Sequence, residues 1–420
     1  MFKSVDIFEA RKEGYKTYRV PGITVSKNNV VLATAESRPG KGGDWDFNDV
    51  LMRRSLDEGD TFGDRQLVAT HKDIGPGPIS NFVMIPDMNS GRIIAVYCWK
   101  YSKVFRIYSD DDGATWSEPN EITETFNRFN QDYNWKVCAT GPGHGIQLVD
   151  GRMIIPVWLS DGSGSEMGKG NLGHRPSIIT SIHSDNNGLT WERGDIVCRH
   201  NDSIGDNTLI NPSETIPVQL NDGSVMFNIR SESEIDRRLI AVSSDGSTNW
   251  KIRGFDQALL EPVCMASIIK SNQLNEKDLN DILFINPDNL ENDMISPGRN
   301  LRHDRKRLTA KLSSDDAIKP SYLKSIGNAF MFQPENPEMP CPRFMDFAQL
   351  YYKVATDLFE FKATKQDFMD GFKSMNISDY ITLMPEFQEA SRNEKGFDFV
   401  APIIVLEGMK FFEEIILKKL

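Results

Sequence analysis

Three eight-residue stretches of the chain share one frame. Ser55 to Phe62 reads SLDEGDTF, Ser109 to Trp116 reads SDDDGATW and Ser184 to Trp191 reads SDNNGLTW. The common pattern is Ser-x-Asp/Asn-x-Gly-x-Thr followed by Trp or Phe. A worn copy runs from Ser243 to Trp250, and a fragment from Ser313 to Asp316. A phrase that recurs at wide intervals announces one structural unit built several times. The starts, at 55, 109, 184, 243 and 313, lie 54 to 75 residues apart, which is room for a four-stranded unit with long loops. Inside the phrase, Gly frees the backbone for a tight hairpin and the Asp or Asn side chain bonds its own backbone. The aromatic ring packs between neighbouring sheets. Such a phrase holds sheets together and does not catalyse.

Between the repeats lie short apolar, β-branched runs, each entered by a turn signal. Asn28-Asn29 leads into Val30 to Thr34, Ser90-Gly91 into Arg92 to Trp99, Asp150-Gly151 into Arg152 to Leu159, and Asp222-Gly223 into Ser224 to Arg230. Asp-Gly before such a run marks a hairpin. Asp281 to Asn286 is a further run of the kind. Many short strands in repeating sheets indicate a β-propeller. The expected fold is all-β: a six-bladed β-propeller over residues 1–316, its last blade incomplete in the pattern. Beyond Ala317 the repeat breaks. Phe344, Phe347, Tyr351, Val354 and Leu358 fall at helical spacing, as do Met409, Phe412, Ile416 and Leu420, so residues 317–420 are expected to be a divergent, mostly helical segment.

Composition narrows the partners. The net charge is −12, which argues against nucleic acid. An anionic ligand would need a local cluster of arginines working against the overall field. The five cysteines are scattered, odd in number and without metal-ligand spacing, so they read as buried thiols. No stretch has the apolar length of a membrane span. The first residues lack the apolar core of a secretory signal, so the chain as written is expected to be cytoplasmic, or secreted if a leader has been removed.

The candidate chemistry begins at Tyr18-Arg19-Val20-Pro21 and continues with Glu36-Ser37-Arg38 at the end of the next run. A Gly-rich loop carrying Asp44, Asp46 and Asp49 follows. Farther on come Gly141-Pro142-Gly143-His144-Gly145-Ile146, then Asn211-Pro212-Ser213-Glu214, a run ending in Arg230, and Arg305-Lys306-Arg307-Leu308-Thr309. In this order, interleaved with the repeats, these segments resemble the sialidases (neuraminidases) of the bacterial and animal exo-glycosidase type. The resemblance covers roughly residues 15–316.

The resemblance implies a retaining exo-α-sialidase that removes terminal sialic acid from glycoproteins, glycolipids or oligosaccharides, with no metal or cofactor. Sialic acid carries a carboxylate on its anomeric carbon, and the planar fork of arginine fits a carboxylate. The implied triad is Arg19, Arg230 and Arg305, with Arg302 and Arg307 as register alternatives for the third member. Arg38 is assigned to the ring substituents. Asp44 is the implied acid/base, with Asp46 and Asp49 as local alternatives. The nucleophile is implied to be a tyrosine, because an anionic nucleophile would be repelled by the substrate's own carboxylate; Glu214 would be its general base. The family's Gly-Tyr-Ser/Ala phrase is missing from this sequence, and Tyr322, Tyr351, Tyr352 and Tyr380 are the candidates. Two further readings stand beside this one: a sialic-acid-binding propeller without turnover, and an unrelated propeller used as a scaffold or acting on another glycan.

Overall fold

The computed structural model of the chain describes residues 5–40, 43–164, 172–271, 281–292, 303–313 and 324–329. Nearly all of them belong to one compact unit, Val5–Leu323 with Asn328–Gln333. The second unit comprises Met1–Ser4, Lys324–Gly327 and Pro334–Leu420. Of its residues only 324–327 are described, and they lie in the strand Lys324–Ala329. The helical stripes expected from Phe344 and from Met409 onwards fall outside the described residues, as does Cys341, and the expected sixth blade is not among the described sheets.

The larger unit is an all-β propeller with five blades among the described residues. The first blade sets Thr17–Val25, Val31–Arg38, Asp49–Ser55 and Gln66–Ala69 side by side. The second orders Ile79–Pro86, Ile93–Trp99, Lys103–Ser109 and Asn120–Glu121 in the same way. The third is built on Met153–Ser160 and Ser177–Ser184, with Val137–Thr140 and Ile146–Gln147 both pairing with the first of these. The fourth orders Thr215–Gln219, Val225–Ile229, Arg237–Ser243 and Lys251–Leu260. The fifth contains Ser267–Ser271, Asp281–Pro287 and Leu308–Ser313.

In the second, third and fourth blades the apolar runs are continuous because both faces of each sheet are covered. Alternate residues of a strand point to opposite faces. Along Ile93–Trp99, Ile93, Ala95 and Tyr97 join Leu32, Val50 and Met52 of the first blade. Ile94, Val96 and Cys98 join Val137, Ile155 and Val157 of the third. In the fourth blade Leu239 and Ala241 face the third, while Ile240 and Val242 face the fifth. Each fully buried aliphatic side chain in these layers contributes roughly 1.5–3 kcal/mol. Cys98, Cys138, Cys198 and Cys264 are buried free thiols.

The repeated phrase forms one hydrogen-bonded knot at each of the four occurrences among the described residues, those starting at Ser55, Ser109, Ser184 and Ser243. Ser109 Oγ accepts from Gly113 N at 2.8 Å, and Asp111 accepts from Thr115 N at 2.8 Å and Thr115 Oγ1 at 2.6 Å. Ser55, Asp57, Gly59 and Thr61 repeat this, and Asn186 takes the place of the aspartate in the third copy. The glycine is needed twice over. Gly113 has φ +76°, and a Cβ there would lie 2.3 Å from Leu32 Cδ2 of the first blade. Gly188 abuts Ile94 of the second blade and Gly246 abuts Ile154 of the third in the same manner. The knots of the second, third and fourth blades are thus wedged against the preceding blade, whereas Gly59 in the first has nothing within 4 Å.

Candidate active site

The site is built at the ends of the central strands, beginning in the first blade. Arg19 stands opposite Glu36 in the ladder, and the ladder breaks between Arg19 and Gly22. Val20 in that break has φ +50°, a region a β-branched residue rarely enters. Strain of this kind, of order 1–3 kcal/mol, concentrates at sites where the fold must aim a side chain.

On the next strand Glu36 and Arg38 share a face. Arg38 is 1% exposed and donates to Glu36 Oε2 at 2.5 Å and to Asp44 Oδ1 at 2.6 Å. Glu36 Oε1 accepts from Asn81 N at 2.8 Å, which ties the first blade to the second. Asp44 itself remains about half exposed, at 51%. Its surroundings would raise its pKa by desolvation, but the charge of Arg38, then of His174 and Arg19, overrides this and holds the carboxyl well below the usual range.

The two alternative aspartates of this loop are committed elsewhere. Asp46 accepts from Gly43 N at 3.1 Å and shapes the turn. Asp49 is 4% exposed and receives Tyr15 Oη at 3.0 Å, His71 N at 3.1 Å and His71 Nδ1 at 2.8 Å. Beside Asp44, the Trp45 ring stacks on His174 with centroids 5.0 Å apart, and Tyr101 and Trp158 close the group.

The fourth blade supplies the second half. Glu214 precedes the first strand and Arg230 follows the second, and Arg230 N donates to Glu214 O at 3.2 Å. Their side chains form a short ion pair. Burial pushes the Glu214 carboxyl up, while Arg230 and Arg305 pull it down more strongly, and the charge of Asp44 opposes them. Glu214 is therefore an ionised carboxylate that feels both arginines and the first-blade aspartate. Thr215 N donates to Gly141 O at 3.2 Å. The Gly141–Ile146 segment braces the centre: Gly143 and His144 pair with Val83 and Met84, and His144 bonds the backbones of Ile268 and Pro217.

The third arginine is distinguished from its neighbour by its contacts. Arg305 Nη2 donates to Val263 O at 2.7 Å, and its charge acts on Glu214 and Cys264. Arg307 instead pairs with Glu291 at 3.0 Å. Arg302 falls outside the described residues, as do Tyr322, Tyr351, Tyr352 and Tyr380. Arg230 Nε and Arg305 Nε are both buried and make no hydrogen bond among the described residues. The structure thus groups Glu214, Arg230 and Arg305 and couples Arg19 and Arg38 to Asp44. Asp44 and Glu214 feel each other across the two halves.

Sequence reading did not find Arg238, Glu261, His174 or Trp45. Arg238 is 0% exposed inside an apolar strand and bonds Glu261, itself 1% exposed. A charge at an inward position of a strand is the signal that could have revealed it. Among the described residues, no three His, Cys, Asp or Glu side chains are grouped to hold a metal. A cavity of about 580 Å³, lined by residues such as His144, Gln147, Gln219 and Lys270, lies toward the other end of the central strands, and no candidate site residue lines it.

A family model described as BNR repeat-like domain matches residues 29–319. The chain belongs to the BNR repeat-like domain family, in its sialidase group. Within this family the chain is similar to a sialidase of Micromonospora viridifaciens, 26% identical over 294 residues that span 64% of this chain and 41% of that one. It is also similar to human sialidase-3, 26% identical over 290 residues, 61% of this chain and 62% of that one. The chain spans about half the length of the curated relatives it matches, from 41% to 61% for the bacterial sialidases of Micromonospora, Bacteroides fragilis and Clostridium perfringens. Among solved structures, the Hadza microbial sialidase Hz136 shares the fold with a TM-score of 0.60 at 22% identity, over 74% of this chain and 58% of that one.

Proposed function

We propose that this BNR-repeat chain is a retaining exo-α-sialidase acting on terminal sialic acid of glycoproteins, glycolipids or oligosaccharides, on a propeller of six blades. The observation that carries the reading is the convergence of Arg230 and Arg305 on Glu214, each with a buried Nε that makes no hydrogen bond among the described residues. In a chain of net charge −12, such a cluster is suited to a small carboxylate.

In this reading Arg19, Arg230 and Arg305 hold the substrate carboxylate, and Arg38 faces the ring substituents. Binding of that carboxylate offsets the pull of Arg19 on Asp44 and lets Asp44 carry the proton it gives to the leaving oxygen. A tyrosine oxygen bonds to the anomeric carbon as the glycosidic bond breaks, and Glu214 takes the phenol proton. Water then attacks the same carbon and gives its proton to Asp44, while the departing phenolate recovers its proton from Glu214.

A 4-methylumbelliferyl sialoside tests the reading. Release of the fluorophore, lost in Arg230→Ala, is the expected result. Saturable binding of free sialic acid without release would replace the hydrolase with the non-catalytic binding propeller. No binding and no release would remove sialic acid from consideration.

A further inference from the structure

We propose that the buried pair Arg238–Glu261 is a positioning device that sets Arg305 and Arg230 at the spacing a ligand carboxylate requires; this rests on the sialidase reading above. Arg238 lies on the third strand of the fourth blade, on the face that Ile240 and Val242 turn to the fifth. Every nitrogen of its guanidinium is engaged. Nε donates to Asn228 Oδ1 at 2.6 Å, Nη2 to Asn228 O at 3.1 Å, and Nη1 to Glu261 Oε2 at 2.5 Å and Cys264 O at 3.0 Å. Glu261 Oε1 in turn accepts from Cys264 N at 3.0 Å.

The turn from Glu261 to Cys264 is therefore fastened at both of its ends. Cys264 is gripped through its N–H by Glu261 and through its carbonyl by Arg238. Between the fastenings Val263 has φ +58°, a conformation that a β-branched residue adopts only when its surroundings impose it. The consequence is functional in direction, because the Val263 carbonyl produced by this turn is the acceptor for Arg305 Nη2 at 2.7 Å. Glu261 also places its charge on Arg230. One buried carboxylate thus acts on both arginines that face Glu214, on one through a carbonyl and on the other through space.

A plain stabilising pair would hold the fourth and fifth blades together and nothing more. A positioning pair makes a sharper demand: its loss should weaken recognition of a carboxylate and spare recognition of the rest of the sugar. The full chain is titrated calorimetrically with the methyl α-glycoside of sialic acid and, separately, with the methyl ester of that glycoside. The unaltered protein should prefer the acid. Equal affinity for the two, or no binding, would sink the sialidase reading and with it the pair.

Given that preference, Glu261→Gln keeps the volume and one acceptor oxygen but removes the charge, and its amide nitrogen must face one of the two donors that Glu261 accepts from, Cys264 N or Arg238 Nη1. It should weaken the acid roughly tenfold and change the ester by no more than about twofold. Arg238→Lys, whose ammonium cannot span four acceptors, should do the same. If acid and ester weaken together, or if neither changes, the pair is structural and the proposal is overturned. Should Arg238→Lys not fold, the near-isosteric Glu261→Gln decides the matter alone.

Discussion

Arg38 gives one end of its guanidinium to Asp44 at 2.6 Å while the other end is held by Glu36 at 2.5 Å. The candidate acid is therefore hung on an arginine that is itself immobilised in the first blade, although its own side chain is half open to water. Asp44 can respond to an arriving ligand without any movement of the blade beneath it.

If Asp44 protonates the leaving group, its removal should matter most when that group is a poor one. Asp44→Asn is expected to lower kcat/KM, which reports the step in which the leaving group departs, on the order of 100- to 10,000-fold on sialyllactose. The loss on the 4-methylumbelliferyl sialoside, whose phenolate leaves readily, should be much smaller. Steady-state kinetics on the two substrates check this, and equal losses would remove Asp44 from the acid role.

Arg230 and Glu214 are only 14% and 19% exposed, so neither charge is well hydrated without the other. Arg230→Met strands the carboxylate and should lower stability by about 3 kcal/mol. Combining it with Glu214→Gln, which leaves no stranded charge, should restore at least half of the loss. Urea unfolding of the three proteins measures both quantities. A double variant as unstable as the single one would mean that packing, not charge, is responsible.

Two glycines with similar backbone angles should differ in what they tolerate. Gly113 has φ +76° and would bring a Cβ to 2.3 Å from Leu32, whereas Gly223 has φ +86° with nothing within 4 Å. Gly223→Ala should cost about 1 kcal/mol, for the backbone alone. Gly113→Ala should cost about 2–4 kcal/mol, since it also forces two blades apart. Thermal unfolding separates them, and equal costs would show that the repeated phrase is not wedged against the neighbouring blade.

The knots also carry a pH signature. Hydrogen bonds from Thr115 lower the Asp111 carboxyl from its ordinary 3.8 to about 2. The folded value lies below the unfolded one, so the stabilisation is complete above the ordinary value of 3.8 and fades as pH falls toward 2. Asp111→Asn copies the arrangement that Asn186 already makes in the third knot, and it cannot titrate. Its melting temperature should fall less steeply than that of the unaltered chain between those two pH values. Parallel curves would contradict the assignment.

The blades were legible because their signals are local. A knot of Ser, Asp, Gly and Thr closes within eight residues, and an apolar run between turn residues becomes a strand wherever it lies. The order of the motif segments likewise singled out Arg19, Arg38, Asp44, Glu214, Arg230 and Arg305 as candidates; in the structure Arg38 and Arg19 act by charge on Asp44, and Arg230 and Arg305 on Glu214. What the sequence could not decide was which member of a crowded group stands beside the other charged residues of the site. Asp46 and Asp49 resemble Asp44 as letters, and only their partners, Gly43 N for one and Tyr15 with His71 for the other, set them apart. Arg307 and Arg305 differ in the same way, through Glu291 and Val263. Arg238 showed only as a charge inside an apolar strand, and nothing paired it with Glu261, which stands 23 residues away with no periodic spacing. Apolar periodicity is a property of each strand by itself, whereas an ion pair exists only once the packing of blades has decided which charges are neighbours and has removed the water between them.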